Sequence, residues 1–174
     1  MRKTVLITGA SGGLGLEFAR IYAREGFDLV VVARSEGKLY KLKSELETQY
    51  DCHVWVLAQD LSQPDAAYEV FNYTLEKNIT IDALVNNAGF GDFGNFWEVD
   101  AQRQTDLLQV NIMTLVQLTR YFLPGMVERR HGSVLNLSSV AAFSAGPRMC
   151  LYLSLIDISE PTRLRRISYA VFCL

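Results

Sequence analysis

Residues 4–19, TVLITGASGGLGLEFA, join an apolar run, a glycine-rich turn and a helical pattern without a break. The run Val5-Leu6-Ile7-Thr8 is typical of a buried strand, and Gly9 ends it. From Leu16 the apolar residues recur at helical spacing as far as Tyr22. This order of strand, glycine turn and helix predicts the first unit of a parallel α/β sheet.

The same alternation continues along the chain. Four more apolar runs of strand length follow, at residues 29–33, 54–58, 83–85 and 133–137. Helical patterns lie between them, at residues 36–50, 66–77 and 101–129. We expect the last helix to be interrupted near Pro124. Continuous apolar strands joined by right-handed helical crossovers predict a doubly wound parallel sheet, the Rossmann fold.

Composition limits the classes of function. The chain has 174 residues, of which 49% are hydrophobic and 21% charged, with a net charge of −2. These values predict one globular domain that binds neither nucleic acid nor an anionic membrane. Cys52, Cys150 and Cys173 have no disulfide or metal-ligand spacing, which favours the reducing cytoplasm and no metal site. No apolar run approaches the roughly 18 residues of a membrane span.

The glycine turn has the spacing Thr8-Gly9-x-x-x-Gly13-x-Gly15. Glycines let a backbone approach a ligand, and the helix that follows offers free N–H groups and the positive end of its dipole to a pyrophosphate. A purely steric role for the glycines is the alternative. The spacing resembles the cofactor signature of the short-chain dehydrogenase/reductases. That resemblance implies cofactor contacts at Gly9, Ser11, Gly12, Gly13, Leu14 and Gly15.

Further motifs extend the resemblance over residues 3–152. Asp60-Leu61 follows the third strand and is similar to the family's adenine-contacting position. Asn86-Asn87-Ala88-Gly89 follows the fourth strand and resembles the family's NNAG motif, which implies cofactor contacts at Asn87, Ala88 and Gly89. Asn111 resembles the residue that holds a proton-relay water. The alternatives are a helix cap at Asp60, a simple turn at residues 86–89 and a hydrogen-bonded core asparagine at 111.

The residue after the second strand favours one nicotinamide cofactor over the other. Rossmann units that bind NAD have an acidic residue about 20 positions beyond the glycines, where it contacts the adenosine ribose. Here Arg34 lies 19 positions beyond Gly15, and Ser35 follows it. A guanidinium binds a 2′-phosphate that a carboxylate would repel. We therefore predict NADP, with NAD as the alternative; an ordinary solvated arginine is the other interpretation of Arg34.

The family's reaction passes a hydride between nicotinamide and a carbonyl or alcohol carbon. In the family a tyrosine exchanges the proton, a serine holds the substrate oxygen, and a lysine four residues after the tyrosine lowers its pKa. Ser139 and Tyr152 have the family spacing of thirteen residues. Position 156, where the lysine is expected, is Ile156, and no lysine occurs after Lys77.

The sequence after Tyr152 resembles a translated sequencing-library adapter, with Leu164-Arg165-Arg166 at the place of a library index. We therefore expect an incomplete NAD(P)-binding domain over residues 1–152, a non-native tail over 153–174 and a sheet truncated after its fifth strand. The complete parent is expected to be a homo-oligomeric oxidoreductase with a small-molecule carbonyl or alcohol substrate, and this fragment to be inactive. The alternatives are a non-catalytic NAD(P)-binding sensor and a natural truncated pseudoenzyme.

Overall fold

The computed structural model describes residues 2–139, 148–156 and 168–172, and in this part of the chain strands and helices alternate. Apolar runs of four to six residues form the strands, and longer amphipathic segments form the helices between them. The strands are β1 Thr4–Thr8, β2 Asp28–Ala33, β3 Val54–Ala58, β4 Ala83–Asn86, β5 Ser133–Leu137 and β6 Ser168–Phe172. The helices are α1 Gly13–Arg24, α2 Glu36–Gln49, α3 Ala66–Glu76, α4 Ala101–Leu108, α5 Leu115–Glu128 and α6 Cys150–Ile156.

These strands form one parallel sheet in the order β3-β2-β1-β4-β5-β6. β1 pairs with β2 on one side, where Leu6 is opposite Val30, and with β4 on the other, where Leu6 is opposite Leu84. The strand order reverses at β1, and open α/β sheets bind ligands beyond the carboxyl ends of their strands at such a point. The predicted doubly wound parallel sheet is confirmed.

Two apolar cores cover the two faces of the sheet. Every residue of β1 is buried, which is typical of a parallel strand with helices on both sides. Leu6 and Val30 belong to the core beneath α3 and α5, whereas Val5, Ile7 and Val31 belong to the core beneath α1 and α2. Successive side chains of a strand point to opposite faces, so one short apolar run contributes to both cores. The core thus holds the carboxyl ends of β1, β2 and β4 in fixed register.

The sheet does not end at β5 as expected. The backbone of β6 pairs with β5 in parallel register, with Ser133 opposite Ser168 and Leu137 opposite Phe172. An outer strand leaves a row of backbone N–H and C=O groups unpaired, and the segment Ser-Tyr-Ala-Val-Phe is rich in residues that favour strands. Residues 168–172 therefore supply the partner that β5 would otherwise lack.

The predicted long helix is interrupted at Asn111 and not at Pro124. Residues Gln109–Thr114 form a π-helical segment between α4 and α5, whereas α5 passes through Pro124 without a break. A π-helical turn holds one more residue than an α-helical turn, so it rotates the side chains on either side of it relative to each other. Such turns are frequent at functional sites. The irregularity lies at a residue predicted to be functional.

Across the described part of the chain, no helix is long and apolar enough to cross a membrane.

Candidate functional site

The glycine turn brings the start of α1 directly against the end of β1. Gly9 has a φ of 69° and Gly13 a φ of 55°, both in the left-handed region that favours glycine. The Gly9 N–H donates to the carbonyl of Val32, with N and O 2.8 Å apart. A Cβ atom on Gly15 would lie 2.3 Å from the Gly9 carbonyl oxygen. The missing side chain therefore lets the amino end of α1 face the space beyond the strand ends.

Asn87 joins the end of β4 to the glycine turn. Its Nδ2 donates to the carbonyl oxygens of Thr8 at 2.9 Å and Gly9 at 3.3 Å. The Thr8 hydroxyl oxygen accepts from the backbone N–H groups of Asn87 and Ala88, each at 3.0 Å, and the hydroxyl donates to the Val85 carbonyl at 3.3 Å. These bonds occupy the backbone groups that the chain exposes on leaving the sheet. Asn87 therefore supports the turn from behind.

Asn86 makes a separate, buried connection between β4, β5 and α5. Its Nδ2 donates to Asn136 Oδ1 at 2.9 Å and to Thr119 Oγ1 at 3.1 Å. Asn86 and Asn136 are directly opposite each other in the sheet, and both are buried. A buried amide is stable only where such partners exist. The first asparagine of the NNAG segment is therefore part of the scaffold, and the second supports the glycine turn.

Asn111 lies in the π-helical segment and holds the chain just beyond the NNAG segment. Its Nδ2 donates to the Phe90 carbonyl at 2.9 Å, and its Oδ1 accepts from the Phe90 N–H at 3.1 Å. A Cβ atom on Gly89 would lie 3.2 Å from Asn111 Oδ1. One side-chain amide thus pairs with both backbone groups of one residue. Asn111 is therefore a hydrogen-bonded asparagine, as one of the two interpretations of the sequence expected, and it also borders the site.

Arg103 holds the next peptide of the same loop. Its Nη2 donates to the Gly91 carbonyl at 3.1 Å, and its guanidinium carbon lies 5.2 Å from the centre of the Phe90 ring. The Arg103 N–H donates to Asp100 Oδ2 at 2.8 Å, so Asp100 caps α4 and fixes the base of this side chain. Arg103 and Asn111 therefore secure consecutive residues of the loop from positions two helical turns apart.

The loop after β3 is fixed by its own aspartate and by the π-helical segment. Asp60 Oδ1 accepts from the N–H of Ser62 at 3.0 Å and from its hydroxyl at 2.9 Å. Asp60 does not cap α3, because the residue at that position is Asp65. The Thr114 hydroxyl donates to the Leu61 carbonyl at 2.9 Å, and Leu61 is buried. Asp60 therefore shapes a turn that presents Leu61 and Ser62 to the site.

Arg34 and Ser35 begin the loop after β2 and are both exposed. Arg34 forms no hydrogen bond or ion pair with any residue that the structure describes. Ser35 precedes α2, but its side chain makes no capping hydrogen bond. Both side chains are therefore free to bind a ligand at the carboxyl ends of the strands. Across the described residues, no group of three or more His, Cys, Asp or Glu is placed to hold a metal ion.

A cleft of about 560 Å³ lies beyond the carboxyl ends of the strands. This volume is within the usual range of about 300–1,000 Å³ for a small-molecule site. Nine of the predicted cofactor residues line it, namely Gly9, Ser11, Gly12, Arg34, Ser35, Asp60, Leu61, Ala88 and Gly89. The other four, Gly13, Leu14, Gly15 and Asn87, lie outside the lining. The structure thus gathers most of the predicted set into one cleft.

The three predicted catalytic residues lie beside this cleft and do not line it. Ser139 follows β5 and is half-buried. Tyr152 is in α6, where its ring packs against the backbone of Gly91; a Cβ atom there would lie 3.5 Å from Tyr152 Cγ. Asn111 holds the residue before Gly91, so Asn111 and Tyr152 meet at the same loop. Ile156 ends α6 one helical turn beyond Tyr152.

Sequence reasoning missed the residues that hold this site together. Thr8, Arg103 and Thr114 each fix a loop that borders the cleft, and none was a predicted site residue. Thr8 has a usable signal, because it stands directly before the first glycine of the turn. Arg103 and Thr114 have none, since an arginine and a threonine in a helix ordinarily face solvent or pack without a ligand.

Comparisons with known proteins match most of the chain to one family. The family model described as short chain dehydrogenase matches residues 3–154. A very-long-chain 3-oxoacyl-CoA reductase of Pyrenophora tritici-repentis is 34% identical over 152 residues, which cover 84% of this chain and 44% of that protein. The chain spans about half the length of the curated relatives it matches.

Solved structures have the same fold. A short-chain dehydrogenase from Sphingobium yanoikuyae in complex with NADPH superposes with a TM-score of 0.83 at 34% identity, covering 89% of this chain and 61% of that one. A metagenomic short-chain oxidoreductase in complex with NADP gives a TM-score of 0.88 at 27% identity, covering 98% of this chain and 81% of that one. Both similar structures hold a phosphorylated nicotinamide dinucleotide.

Proposed function

Because this chain belongs to the short-chain dehydrogenase family, we propose that it is the nucleotide-binding part of an NADP-preferring oxidoreductase. The reaction is hydride transfer between nicotinamide and a carbonyl or alcohol substrate. The observation that carries the proposal is the cleft at the strand ends, which has the glycine turn on one side and the unpaired Arg34 on the other. The proposed activity is that of the complete protein, since curated relatives are about twice as long as this chain.

The cleft suits a dinucleotide in three respects. The Gly9 and Gly15 positions leave no room for a Cβ atom, so α1 starts close to the strand ends, and its first N–H groups, which have no partner within the helix, face the place proposed for the pyrophosphate. Leu61 and Val110 give the cleft an apolar wall suited to an adenine ring. Arg34 supplies an unpaired guanidinium where a 2′-phosphate would lie. In similar structures the bound cofactor is NADPH or NADP.

The proposed chemistry divides between the cofactor and this chain. A nicotinamide dinucleotide, when bound, supplies or accepts the hydride. The Tyr152 hydroxyl gives a proton to the substrate oxygen during reduction and takes it back during oxidation. The Ser139 hydroxyl holds the same oxygen by a hydrogen bond. Asn111 holds both backbone groups of Phe90, and the Tyr152 ring packs on the next residue, Gly91. The roles of Ser139 and Tyr152 are carried over from the resemblance, which for Asn111 implies a residue that holds a proton-relay water.

A non-catalytic nucleotide-binding role is the second candidate, and Ile156 favours it. The family's lysine is expected at this position, one helical turn beyond Tyr152, and isoleucine offers no charge to the tyrosine. A chain with a complete nucleotide cleft and no such lysine would bind cofactor without turning over. The enzyme is preferred because Asn111, Ser139 and Tyr152 together are of no use to a sensor.

Partners and location follow from the same proposal. Similar curated proteins carry names such as very-long-chain 3-oxoacyl-CoA reductase and NADPH-dependent pterin aldehyde reductase, which are reductases of small molecules. We propose a small-molecule carbonyl or alcohol as the partner here too, in a cytoplasmic homo-oligomer that binds neither nucleic acid nor membrane. The net charge of −2 supports the last point.

Equilibrium binding of NADPH and NADH to the 174-residue chain tests the proposal. We expect NADPH to bind more tightly by at least about tenfold, because only NADPH carries the 2′-phosphate that a guanidinium recognises. Equal affinity for the two would contradict the NADP preference and leave the pyrophosphate site standing. Failure to bind either one would contradict the nucleotide site itself.

A further inference from the structure

Three large aromatic side chains stand exposed on the loop between β4 and α4. Phe93, Phe96 and Trp97 are 67%, 57% and 81% exposed, and we call them the aromatic ledge. Isolated exposed apolar residues are common on protein surfaces, but three within five consecutive residues concentrate apolar surface on one loop. Contiguous apolar patches mark places where a protein binds something else.

The backbone beneath the aromatic ledge is held in place. Gln104 Nε2 donates to the Phe96 carbonyl at 2.9 Å, which ties the ledge to α4. The Asn95 amide donates to the Glu98 carboxylate at 2.9 Å, and the Glu98 N–H donates to the Asn95 carbonyl at 2.9 Å. The ledge is therefore a formed surface on which the rings have a fixed base, and binding there costs little ordering of the loop.

One end of the aromatic ledge adjoins the segment that carries Tyr152. The guanidinium carbon of Arg148 lies 4.8 Å from the centre of the Phe93 ring, within the range of a cation–π interaction. The Gly94 N–H donates to the Arg148 carbonyl at 2.9 Å. Tyr152 packs on Gly91, two residues before Phe93. Together these interactions place residues 148–152 alongside residues 91–94.

We propose that the aromatic ledge binds the apolar body of an elongated carbonyl substrate whose carbonyl group lies at Tyr152. This inference rests on the proposed function. Phe93 marks the inner end, beside the Tyr152 segment, and Trp97 lies four residues along the loop, at most about 14 Å away. A ligand on the ledge therefore has a polar end near the hydroxyl and an apolar body of up to that length. The substrate class is a ketone or aldehyde with one long or bulky hydrocarbon substituent.

A second copy of the chain is a less suitable occupant. Aromatic side chains bury about 150–250 Å² each when covered, so the three partly exposed rings of the ledge present about 400 Å². A stable protein interface needs about 800 Å² on each partner. The ledge alone supplies about half of that area, which is ample for the body of a small ligand.

Trp97 is a built-in reporter for the test. The chain has two tryptophans, so Trp55→Phe leaves Trp97 as the only one. In that background we expect 2-undecanone to shift the Trp97 emission to shorter wavelength in a saturable manner. We expect 2-butanone, which has the same carbonyl without the long body, to give no shift at equal concentration. Phe93→Ser should weaken 2-undecanone binding about tenfold, because the ligand then buries less apolar surface.

Matched controls separate the ledge from general apolar binding. Tyr40 is 54% exposed on α2, so Tyr40→Ser removes a similarly exposed aromatic ring from another part of the surface and should leave the affinity unchanged. If Phe93→Ser proves unfolded by its thermal melt, Phe96→Ser serves in its place. A missing shift, an unchanged affinity in the ledge variant, or a Trp97 shift that follows protein concentration without ketone would each overturn the inference.

Titration with NADPH distinguishes failure of this inference from failure of the proposed function. A chain that binds NADPH and ignores 2-undecanone would contradict the ledge alone. A chain that binds 2-undecanone and not NADPH would contradict the proposed function, and with it the identification of the ketone as a substrate.

Discussion

Single side chains do much of the work of building the site. Asn87 supports the glycine turn, Asn111 holds Phe90 by both of its backbone groups, and Arg103 holds Gly91. Each of these side chains satisfies backbone groups in loops that have left the sheet ladder. Loss of one of these side chains leaves a backbone N–H or C=O group of the loop without its partner. Conservative substitutions at these positions therefore test how much each bond stabilises the loop.

Arg34→Asp should reverse the cofactor preference of the chain. The change removes a bidentate interaction with a 2′-phosphate and adds a repulsion, which together are worth on the order of 2–4 kcal/mol in discrimination between NADPH and NADH. Dissociation constants for the two cofactors measure this directly. Arg24→Asp, at the far end of α1, is the charge-matched control and should leave the ratio unchanged. An unaltered ratio in Arg34→Asp would remove Arg34 from the site.

Asn111→Asp should destabilise the loop that follows β4. The substitution keeps the size of the side chain and the acceptor for the Phe90 N–H, but it places a carboxylate oxygen against the Phe90 carbonyl. We expect a loss of about 1–3 kcal/mol in the free energy of unfolding, measured by urea denaturation. Asn72→Asp, on the surface of α3, replaces a bond to Glu76 by a like-charge pair and should cost a few tenths of a kcal/mol. Equal losses in the two variants would contradict the role given to Asn111.

At the scale of elements, the site depends on how closely α1 approaches the strand ends. Gly15 is buried against the Gly9 carbonyl and the side-chain amide of Asn87, so the helix lies too close to the glycine turn to leave room for a side chain at this position. The π-helical segment has a similar effect on the other side of the cleft, where it directs Asn111 to Phe90 and Thr114 to Leu61. Helix placement therefore sets the width of the cleft.

Gly15→Ala should displace α1 and weaken nucleotide binding. The new Cβ atom would lie 2.3 Å from the Gly9 carbonyl oxygen and 2.5 Å from Asn87 Nδ2, distances at which atoms must move. We expect at least about 1–3 kcal/mol of destabilisation by urea denaturation, together with weaker NADPH binding.

Gly37→Ala is the matched control, because a Cβ atom there meets nothing within 4 Å and the residue lies in α2. It should stabilise the chain by about 0.4–1 kcal/mol. If both changes destabilise the chain, replacing a helical glycine has an effect that does not depend on close packing. That result would contradict the explanation given for Gly15.

The predictability of these elements follows from what shapes each of them. β1, β2 and β4 were predictable because a strand buried on both faces is a short, continuous apolar run. β3 and β5 are only partly buried, and apolar runs of similar length predicted them. The π-helical turn was not, since one extra residue in a helix changes its geometry without changing its composition. Pro124 misled for the opposite reason: a proline predicts a break, yet α5 passes through it. β6 was not predictable because the need of β5 for a partner is a property of the sheet.

At the scale of the whole molecule, the candidate site lies along the carboxyl ends of the strands. Loops that follow β1, β2, β3 and β4 line one cleft, and the residues after β5 stand beside it. The chain provides this site within about half the length of its curated relatives. For this chain, cofactor binding and substrate turnover are therefore two separate predictions.

The 174-residue chain should bind NADPH and give no measurable NADPH oxidation with ketones or aldehydes. Ile156 provides no charge one turn beyond Tyr152, and a misplacement of about 1 Å at a reacting group already costs about a hundredfold in rate. Loss of absorbance at 340 nm is the measurement. A complete parent with lysine at 156 should be active, and Tyr152→Phe in it should abolish turnover while NADP binding stays within a few-fold. Robust turnover by the 174-residue chain would contradict this account.

The central place of β1 also sets the order in which the protein is able to fold. Val5 pairs with Leu29 on one side and with Ala83 on the other, so the second partner lies 78 residues further along the chain. A ribosome that adds roughly 5–20 residues per second delivers that partner about 4–16 s after β1. Throughout this interval the edge of β1 that β4 later covers is open, and its apolar residues are accessible to chaperones or to other nascent chains. Only after this interval can β4 join β1, at the place where the cleft forms, and β5 and β6 extend the sheet after that.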